Sequence, residues 1–177
     1  SMPKIETLLA QAGLVKDEPT GALSTPVYYS ATFRHPKLGE STGYDYSRSA
    51  NPTRKVLEEA VAALEGASTG LAFASGMAAV TAVVSSFASG DHFIVSDDLY
   101  GGTYRLFDAV FSRFGISASY VDTSDVDVVA RAIKPSTKAF FIETPTNPVM
   151  KISDIRALCD LAKKRDIVTI IDNTFMS

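Results

Sequence analysis

The sequence predicts an α/β fold, a mostly parallel sheet with helices on both faces, from three observations. Short apolar segments typical of buried strands alternate with segments whose apolar residues recur at helical spacing. The gaps between the strand-like segments are long enough for a crossover helix, as parallel sheets require. Glycine or proline lies near most of the element ends. In such sheets ligands bind beyond the carboxyl ends of the strands.

The beginning of the chain has a different composition from the rest. Residues 1–51 are rich in Gly, Pro, Ser, Thr and Tyr and show little apolar periodicity beyond a short predicted helix at 5–12. The regular pattern begins at Pro52. We therefore expect an extended arm at 1–51 and a segment of a packed domain at 52–177.

Helix signals and strand signals then follow one another along the domain segment. Pro52 suits the first turn of a helix that ends before Gly66, and Ser75 and Gly76 begin a second helix that Gly90 ends. The predicted helices of this segment cover residues 52–65, 75–89, 106–114, 125–133 and 153–165. The predicted strands cover residues 71–74, 92–96, 117–121, 139–143 and 167–172.

Polar or glycine-bearing sequences follow four of the predicted strands. They read Ala-Ser-Gly-Met, Ser-Asp-Asp-Leu-Tyr-Gly-Gly-Thr, Glu-Thr-Pro-Thr-Asn-Pro and Asp-Asn-Thr-Phe. Because the carboxyl ends of parallel strands meet at one edge of a sheet, we expect these sequences to converge there.

Composition argues against several classes of partner. Seventeen basic and twenty acidic residues give a net charge of -3, and no basic run is present to bind nucleic acid. No apolar run is long enough to span a bilayer. Cys159 is the single cysteine and cannot form an internal disulfide, which fits a cytoplasmic location. The two histidines, His35 and His92, lack the spacing of metal ligands, so no metal is predicted.

The start of the second helix of the domain segment is a candidate anion site. Unpaired N–H groups and the positive end of the helix dipole favour a phosphate beside Gly76 and Met77, and the hydroxyl of Ser75 lies next to them. On this motif alone, capping of the helix by Ser75 is the favoured explanation.

Three further candidates follow predicted strands. Asp172 suits a protonated pyridine nitrogen, although a helix cap is an alternative. The ring of Tyr100, before two glycines, suits stacking on a flat cofactor and proton exchange, although tyrosines also begin helices for reasons of packing. The amide of Asn147 suits a cofactor oxygen or a turn. In the arm, Arg48 suits a phosphate or a solvated surface.

The ordered set of motifs resembles the Cys/Met-metabolism pyridoxal-phosphate family, which includes cystathionine γ-synthases, cystathionine β- and γ-lyases, O-acetylhomoserine sulfhydrylases and methionine γ-lyases. The motifs are Tyr46-Ser-Arg48 with Asn51-Pro-Thr-Arg, Ser75-Gly-Met-Ala-Ala, Asp-Leu-Tyr100-Gly-Gly-Thr, Glu143-Thr-Pro-Thr-Asn147-Pro and Val-Thr-Ile-Ile-Asp172-Asn-Thr-Phe. The resemblance extends from about residue 21 to residue 177. It implies the large domain of the fold type I, transferase-like enzymes, with pyridoxal 5′-phosphate as cofactor.

The resemblance also implies how the cofactor phosphate is bound. Gly76 and Met77 would donate backbone N–H groups to it, with Ser75 beside them. Tyr46 and Arg48 would reach the phosphate of the neighbouring subunit, so the active site would exist only in a homo-oligomer, commonly a dimer of dimers.

The ring of the cofactor would be held by four other residues. Tyr100 would stack on the pyridine ring and take part in proton transfer, as the one catalytic residue of this segment. Asn147 would bond the ring hydroxyl, and Asp172 would hold the ring nitrogen, with Thr174 close by.

One part of the family pattern is missing from the sequence. The lysine that holds the cofactor lies downstream of Asp172 in a Ser-x-x-Thr-Lys stretch, which this chain does not contain. Lys138 precedes a predicted strand, on the opposite side, and is interpreted as a surface lysine. We therefore expect a truncated domain, a gap in its sheet between the strand of Asp172 and the first predicted strand, an inactive fragment, and a C-terminal part of the same protein as its partner.

The resemblance implies amino-acid substrates but leaves two reactions open. Gly102 replaces the cysteine of methionine γ-lyases, which argues against that activity. The arm is most similar to cystathionine γ-synthase/O-acetylhomoserine sulfhydrylase enzymes, which favours γ-replacement on an O-acylhomoserine to give cystathionine or homocysteine. Elimination by a cystathionine β- or γ-lyase is the alternative, and an inactive assembly fragment is the alternative that is not an enzyme.

Overall fold

The computed structural model describes residues 3–14 and 17–176. The chain forms two compact units, Ser1–Ala74 and Ser75–Ser177. The first unit contains the arm together with the helix that begins at Pro52. The boundary between the two units therefore lies later in the chain than the change in composition at Pro52. No helix in the described ranges is both long enough and apolar enough to cross a bilayer.

The first unit has two helices, α1 (Ile5–Gln11) and α2 (Pro52–Glu65). Asn51 caps α2, since its side-chain oxygen accepts the N–H of Thr53 at 2.8 Å. Gly66 ends the helix in the left-handed conformation, with φ 62°. Between the two helices the described residues form loops and isolated bridges. Irregular structure is therefore found where the composition predicted it.

The predicted strand at residues 71–74 is wrong. These residues are irregular, and Leu71 and Phe73 are 72% and 45% exposed. A strand needs a neighbour for its backbone N–H and C=O groups, and no described strand pairs with this segment. Apolar sequence alone does not make a strand when its hydrogen-bonding partner is missing.

The second unit is built around four parallel strands in the order β2-β1-β3-β4. The strands are β1 (His92–Ser96), β2 (Ser117–Val121), β3 (Thr137–Glu143) and β4 (Val168–Asp172). The helices are α3 (Gly76–Val84), α4 (Gly101–Arg105), α5 (Val126–Ala132) and α6 (Ile155–Lys163). The other four predicted strands are thus confirmed, with ends that agree to within about two residues. They form a continuous sheet in which β4 is an edge strand.

Helices cover both faces of this sheet, as predicted. Side chains of successive strand residues point to opposite faces, so each face has its own core. The core under α3 and the segment after α4 consists of Val84, Phe93, Val95, Phe107, Phe111, Ile116, Ala139 and Phe141. The core under α5 and α6 consists of Ile94, Val129, Phe140, Ile142, Leu158, Ala162 and Ile167.

The helix predicted to reach residue 89 is shorter, since α3 ends at Val84. The hydroxyls of Ser85 and Ser86 bond the carbonyls of Thr81 and Val83 at 2.6 and 2.7 Å. Side chains that bond the last carbonyls compete with the N–H groups that would continue a helix.

The helix predicted at residues 106–114 begins earlier and changes pitch. It starts as α4, continues as a π-helix at Leu106–Val110 and ends as a 3₁₀ helix at Phe111–Phe114. Two consecutive glycines have low helix propensity, which is why the sequence does not predict this start. The carbonyl of Tyr100 instead begins the helix, because it accepts the N–H of Thr103 at 2.9 Å.

Candidate active site

The carboxyl ends of β1, β3 and β4 lie at one edge of the sheet, and the polar sequences predicted to converge follow them. Glu143 and Asp172 are partners in the register of β3 and β4. The loop after β1 reaches the same edge, since the N–H of Tyr100 donates to Oε2 of Glu143 at 2.8 Å. Three of the four predicted sequences therefore meet at this edge.

The start of α3, which carries the fourth sequence, lies beside the loop after β1. A Cβ atom added to Gly102 would lie 3.0 Å from Sδ of Met77 and 2.5 Å from Cε1 of Tyr100. Helix α3 also packs against α4. A chain of contacts thus runs from Met77 through Gly102, Tyr100 and Glu143 to Asp172, within one compact unit.

The N-terminus of α3 presents unused hydrogen-bond donors. The side chain of Ser75 caps the helix, accepting the N–H of Ala78 at 3.1 Å, and its carbonyl accepts the N–H of Ala79. The N–H groups of Gly76 and Met77 donate to no group in the described part of the chain. A Cβ at Gly76 would meet nothing within 4 Å, so there is open space beside them. Two free N–H groups at a helix N-terminus are suited to bind an anion.

At the other end of the chain of contacts, Asp172 presents an unused acceptor. Its Oδ1 accepts the backbone N–H of Thr174 at 3.1 Å and the hydroxyl of Thr174 at 2.5 Å. Its Oδ2 accepts no hydrogen bond within the described residues. The contact of Thr174 with Asp172 is thus observed. It fixes one oxygen of the carboxylate and leaves the other for a donor from a ligand.

Tyr100 and Asn147 present their side chains without hydrogen bonds of their own in the ranges that the structure describes. Tyr100 is 50% exposed, and Asn147 is half-buried. Their backbones are fixed instead, since both N–H groups donate to the carboxylate of Glu143. The phenol and the amide are therefore held near the edge of the sheet while their polar atoms stay available.

Glu143 is the residue of this site that sequence reasoning did not single out. It is 4% exposed, and its pKa is raised, chiefly because burial disfavours the charged carboxylate, although the N–H groups of Tyr100 and Asn147 lower the pKa. The charges of Asp172 and Asp98 raise its pKa further. The available signal was a carboxylate at the end of an otherwise apolar strand, next to a loop with two prolines.

Buried hydroxyl groups support the strand ends beneath the site. Ser96 accepts the N–H of Glu143 at 3.1 Å and bonds Thr123 at 2.7 Å. Thr123 in turn bonds Ser153 at 2.9 Å, and the N–H of Ser153 donates to the hydroxyl of Thr144 at 3.0 Å. These residues are buried, so each hydroxyl needs the partner that the next one supplies. The network fixes the ends of β1 and β3 relative to each other.

A second set of contacts ties the outer loops together. Lys151 donates to Asp97 at 3.3 Å and to Asp122 at 3.1 Å. Hydrogen bonds from Ser124 and then from Lys151 lower the pKa of Asp122. Asp98 accepts the hydroxyl of Thr146 and the N–H of Val149. The loop after β3 is therefore anchored to the loops after β1 and β2.

Tyr46 and Arg48 belong to the first unit. The guanidinium carbon of Arg48 lies 5.2 Å from the centroid of the Tyr46 ring, a cation–π contact. Arg48 is exposed and forms no ion pair with any residue that the structure describes. Tyr46 and Arg48, which are predicted to bind a phosphate, are thus in contact with each other. The guanidinium charge of Arg48 is not neutralised by a carboxylate of the described residues.

Lys138 lies at the opposite edge of the sheet from the candidate site. It is the second residue of β3 and is exposed, whereas Glu143 ends the same strand. The interpretation of Lys138 as a surface lysine is confirmed by its position.

Comparison with known proteins gives strong matches over nearly the whole chain. The sequence pattern of the family described as "Cys/Met metabolism PLP-dependent enzyme" matches residues 6–177. The chain is 52% identical over 172 residues to a cystathionine gamma-lyase of Bacillus subtilis (strain 168), covering 97% of this chain and 45% of that protein. It is 50% identical over 171 residues to a cystathionine gamma-synthase/O-acetylhomoserine (thiol)-lyase of the same organism, covering 97% and 46%. The chain therefore spans about half the length of these relatives.

The fold gives a corresponding match. A crystal structure of cystathionine gamma-lyase from Lactobacillus plantarum, complexed with L-serine, superposes with a TM-score of 0.94 at 51% sequence identity. The match covers 99% of this chain and 46% of that one. The arrangement of strands and helices described above thus matches about half of that structure.

Proposed function

The chain belongs to the Cys/Met metabolism PLP-dependent enzyme family, and on this premise we propose that it supplies the phosphate-binding and ring-binding residues of a larger trans-sulfuration enzyme. The cofactor of the family is pyridoxal 5′-phosphate, and the relatives act in sulfur amino-acid metabolism. The chain spans about half of those relatives, so the activity belongs to a longer protein of which this chain is one part.

One observation carries the proposal: free donors and a free acceptor lie at the two ends of one chain of contacts. The N–H groups of Gly76 and Met77 suit the cofactor phosphate, because a helix N-terminus favours negative charge. Oδ2 of Asp172 suits the protonated pyridine nitrogen, because Thr174 engages only Oδ1. The N–H donors of Gly76 and Met77 and the acceptor of Asp172 therefore fit the two ends of pyridoxal phosphate.

The remaining proposed contacts involve the ring between these ends. Tyr100 stacks on the ring and exchanges protons with the substrate, and Asn147 donates its amide to the ring hydroxyl. The carboxylate of Asp172 keeps the ring nitrogen protonated, since an adjacent negative charge favours the cationic form. The bound cofactor supplies an electron sink for the amino-acid substrate.

The arm is proposed to complete the site of another subunit. Arg48 carries an uncompensated guanidinium group on an exposed segment, and such a group binds phosphate through two parallel hydrogen bonds. With Tyr46 beside it, this pair reaches the cofactor phosphate of the neighbouring subunit. The complete enzyme is accordingly a homo-oligomer, with a dimer as the smallest active unit and a dimer of dimers as the proposed assembly.

For the reaction itself we propose γ-replacement on an O-acylhomoserine. The arm sequence and the 50% identity to the bifunctional synthase support it. Elimination from cystathionine is the second candidate, because the relative with 52% identity is named as a γ-lyase. Gly102, where methionine γ-lyases have a cysteine, argues against a third activity.

An assay of the complete enzyme separates the two reactions. With O-acetylhomoserine and cysteine, a synthase forms cystathionine and releases acetate. With cystathionine and water alone, a lyase breaks a C–S bond and releases a thiol amino acid, a keto acid and ammonia. We expect the first rate to exceed the second, and a much faster keto-acid release would favour the lyase. A complete enzyme that binds no pyridoxal phosphate would contradict both.

A further inference from the structure

Glu143 joins the two loops that carry Tyr100 and Asn147. Its Oε2 accepts the N–H of Tyr100 at 2.8 Å, and its Oε1 accepts the N–H of Asn147 at 2.7 Å. Tyr100 lies in the loop between β1 and α4, whereas Asn147 lies in the loop after β3, so the two residues belong to different loops. In the part of the chain that the structure describes, this carboxylate is the one group that bonds both residues, although Asp98 also joins the two loops through Thr146 and Val149.

The location of this carboxylate is energetically unfavourable. The side chain is 4% exposed, and none of the described Lys, Arg or His side chains forms an ion pair with it. A buried charge without a cation is costly, even when N–H groups bond both oxygens. Asp172 and Asp98 add repulsion, since their charges raise the pKa of Glu143. A group placed at such a cost is more typical of a functional site than of a stabilising contact.

The backbone of Glu143 is itself fixed. It ends β3 in register with Asp172, and its N–H donates to the buried hydroxyl of Ser96. By contrast, the phenol of Tyr100 and the amide of Asn147 have no hydrogen bonds within the described residues. The positions of these two side chains therefore depend on where their backbones are held.

We propose that Glu143 is a positioning residue of the cofactor site, which sets the separation between Tyr100 and Asn147 and thereby the slot that the pyridine ring enters. The inference rests on the proposed function, because it assigns these two residues to the ring. It adds a residue that acts through both of them and touches neither cofactor nor substrate.

Two variants of the complete enzyme test this role, and Ile142→Val is the matched control. Glu143→Ala removes both acceptors, whereas Glu143→Gln keeps the size and leaves one acceptor oxygen. Ile142→Val removes a buried methyl group from the preceding residue and lowers stability without touching either loop. Both substitutions at Glu143 also remove a buried charge, which is itself costly. Stability can therefore rise or fall for reasons unrelated to positioning and is not used as the readout.

The first readout is hydrogen exchange of the two amides in the cofactor-free enzyme. We expect the amides of Tyr100 and Asn147 both to exchange about tenfold faster or more in Glu143→Ala. In Glu143→Gln one of the two should keep its protection. The control should change neither relative to its neighbours. Unchanged exchange in both substituted enzymes overturns the proposal, whether or not the enzyme binds cofactor.

The second readout is binding of pyridoxal phosphate, measured by titration and by the circular dichroism of its visible band. We expect affinity to fall about tenfold in Glu143→Ala, with an altered dichroic band, and less in Glu143→Gln. If Glu143→Ala does not fold, hydrogen exchange and cofactor binding are both measured on Glu143→Gln. Wild-type affinity and an unchanged band in the substituted enzymes overturn the positioning role alone. Failure of the unsubstituted enzyme to bind cofactor overturns the proposed function, and with it this inference.

Discussion

Gly102 shows how a missing side chain shapes the candidate site. The Tyr100 ring occupies the space where a Cβ of residue 102 would lie, with Cε1 at 2.5 Å and Cδ1 at 3.1 Å from that point. Carbon atoms do not approach so closely, so any larger residue must displace the ring. Since Tyr100 is half exposed, the ring has room to move, and the fold does not have to change.

We predict that Gly102→Ala lowers kcat/KM of the complete enzyme about tenfold or more without lowering its melting temperature. Displacement of a catalytic group by about 1 Å has this kind of effect, and alanine raises helix propensity in α4. Gly101→Ala is the control, because its Cβ would meet only the end of the flexible Arg105 side chain, at 3.2 Å. Equal losses of activity in the two variants would contradict the explanation.

For single residues, the sequence predicted the candidates that would bind the ring. It did not predict Glu143, which holds the backbones of Tyr100 and Asn147. Asp172 and Asn147 could be found because they lie at or just after the end of a strand, where parallel sheets bind ligands. Glu143 also ends a strand, but its role could not be predicted, because its partners are backbone N–H groups of residues 43 positions earlier and 4 positions later. Such contacts leave no pattern of residue types.

Among the elements, β1 is joined to both of its neighbours by one side chain. His92 is 1% exposed, and its ring nitrogens bond Thr137 of β3 at 2.8 Å and Ser119 of β2 at 2.9 Å. Burial, and then the charge of Lys134, lower the pKa of His92 below its ordinary value. The folded state therefore favours the neutral imidazole at the end of the sheet opposite the candidate site.

This shift predicts how stability depends on pH. The unfolded chain binds a proton at His92 below about pH 6.5, whereas the folded chain does so only at lower pH. Its contribution to stability is thus complete above pH 6.5 and is lost as the pH falls toward the pKa of the folded state. Melting temperatures measured between pH 7.5 and 5.5 should fall less steeply for His92→Gln than for the wild type.

The control for this measurement is His35→Gln. It removes the other histidine, which lies in the first unit and bonds Asp45 at 2.7 Å, and it leaves the three strands intact. Its melting temperatures should follow the wild-type slope. Equal flattening in both variants would show that the effect does not come from the sheet.

The elements that the sequence predicted correctly are those whose partners are present in this chain. Strands β1 to β4 pair with one another, and their alternating side chains fill two cores. The segment 71–74 has an equally apolar sequence but lies outside the sheet. The early start of α4 was missed for a different reason, since its Gly-Gly sequence has low helix propensity and Glu143 holds the residue before it.

At the scale of the whole molecule, β4 shows where the sheet could be extended. It pairs with β3 on one side only, and Val168 is 52% exposed. An unpaired strand edge is a site where further strands can add. The family resemblance predicts that further strands of the sheet add next to β4, at this unpaired edge. The proposed longer enzyme would supply them.

We predict that the 177-residue chain alone shows no turnover with O-acetylhomoserine and cysteine or with cystathionine. The family resemblance places the cofactor lysine in a Ser-x-x-Thr-Lys stretch that these 177 residues do not contain, and Lys138 lies near the start of β3, at the opposite edge of the sheet from Glu143. In the complete enzyme, borohydride should attach the cofactor to a lysine outside these 177 residues. Turnover by this chain, or attachment to Lys138, would contradict the prediction.

The central claim is that a single cofactor bridges the N-terminus of α3 and the end of β4. A crystal structure of the complete enzyme with pyridoxal phosphate tests it most directly. We expect phosphate oxygens within about 3 Å of the N–H groups of Gly76 and Met77, and the pyridine nitrogen at a similar distance from Oδ2 of Asp172. A phosphate bound elsewhere, or a ring nitrogen that faces away from Asp172, would contradict the account.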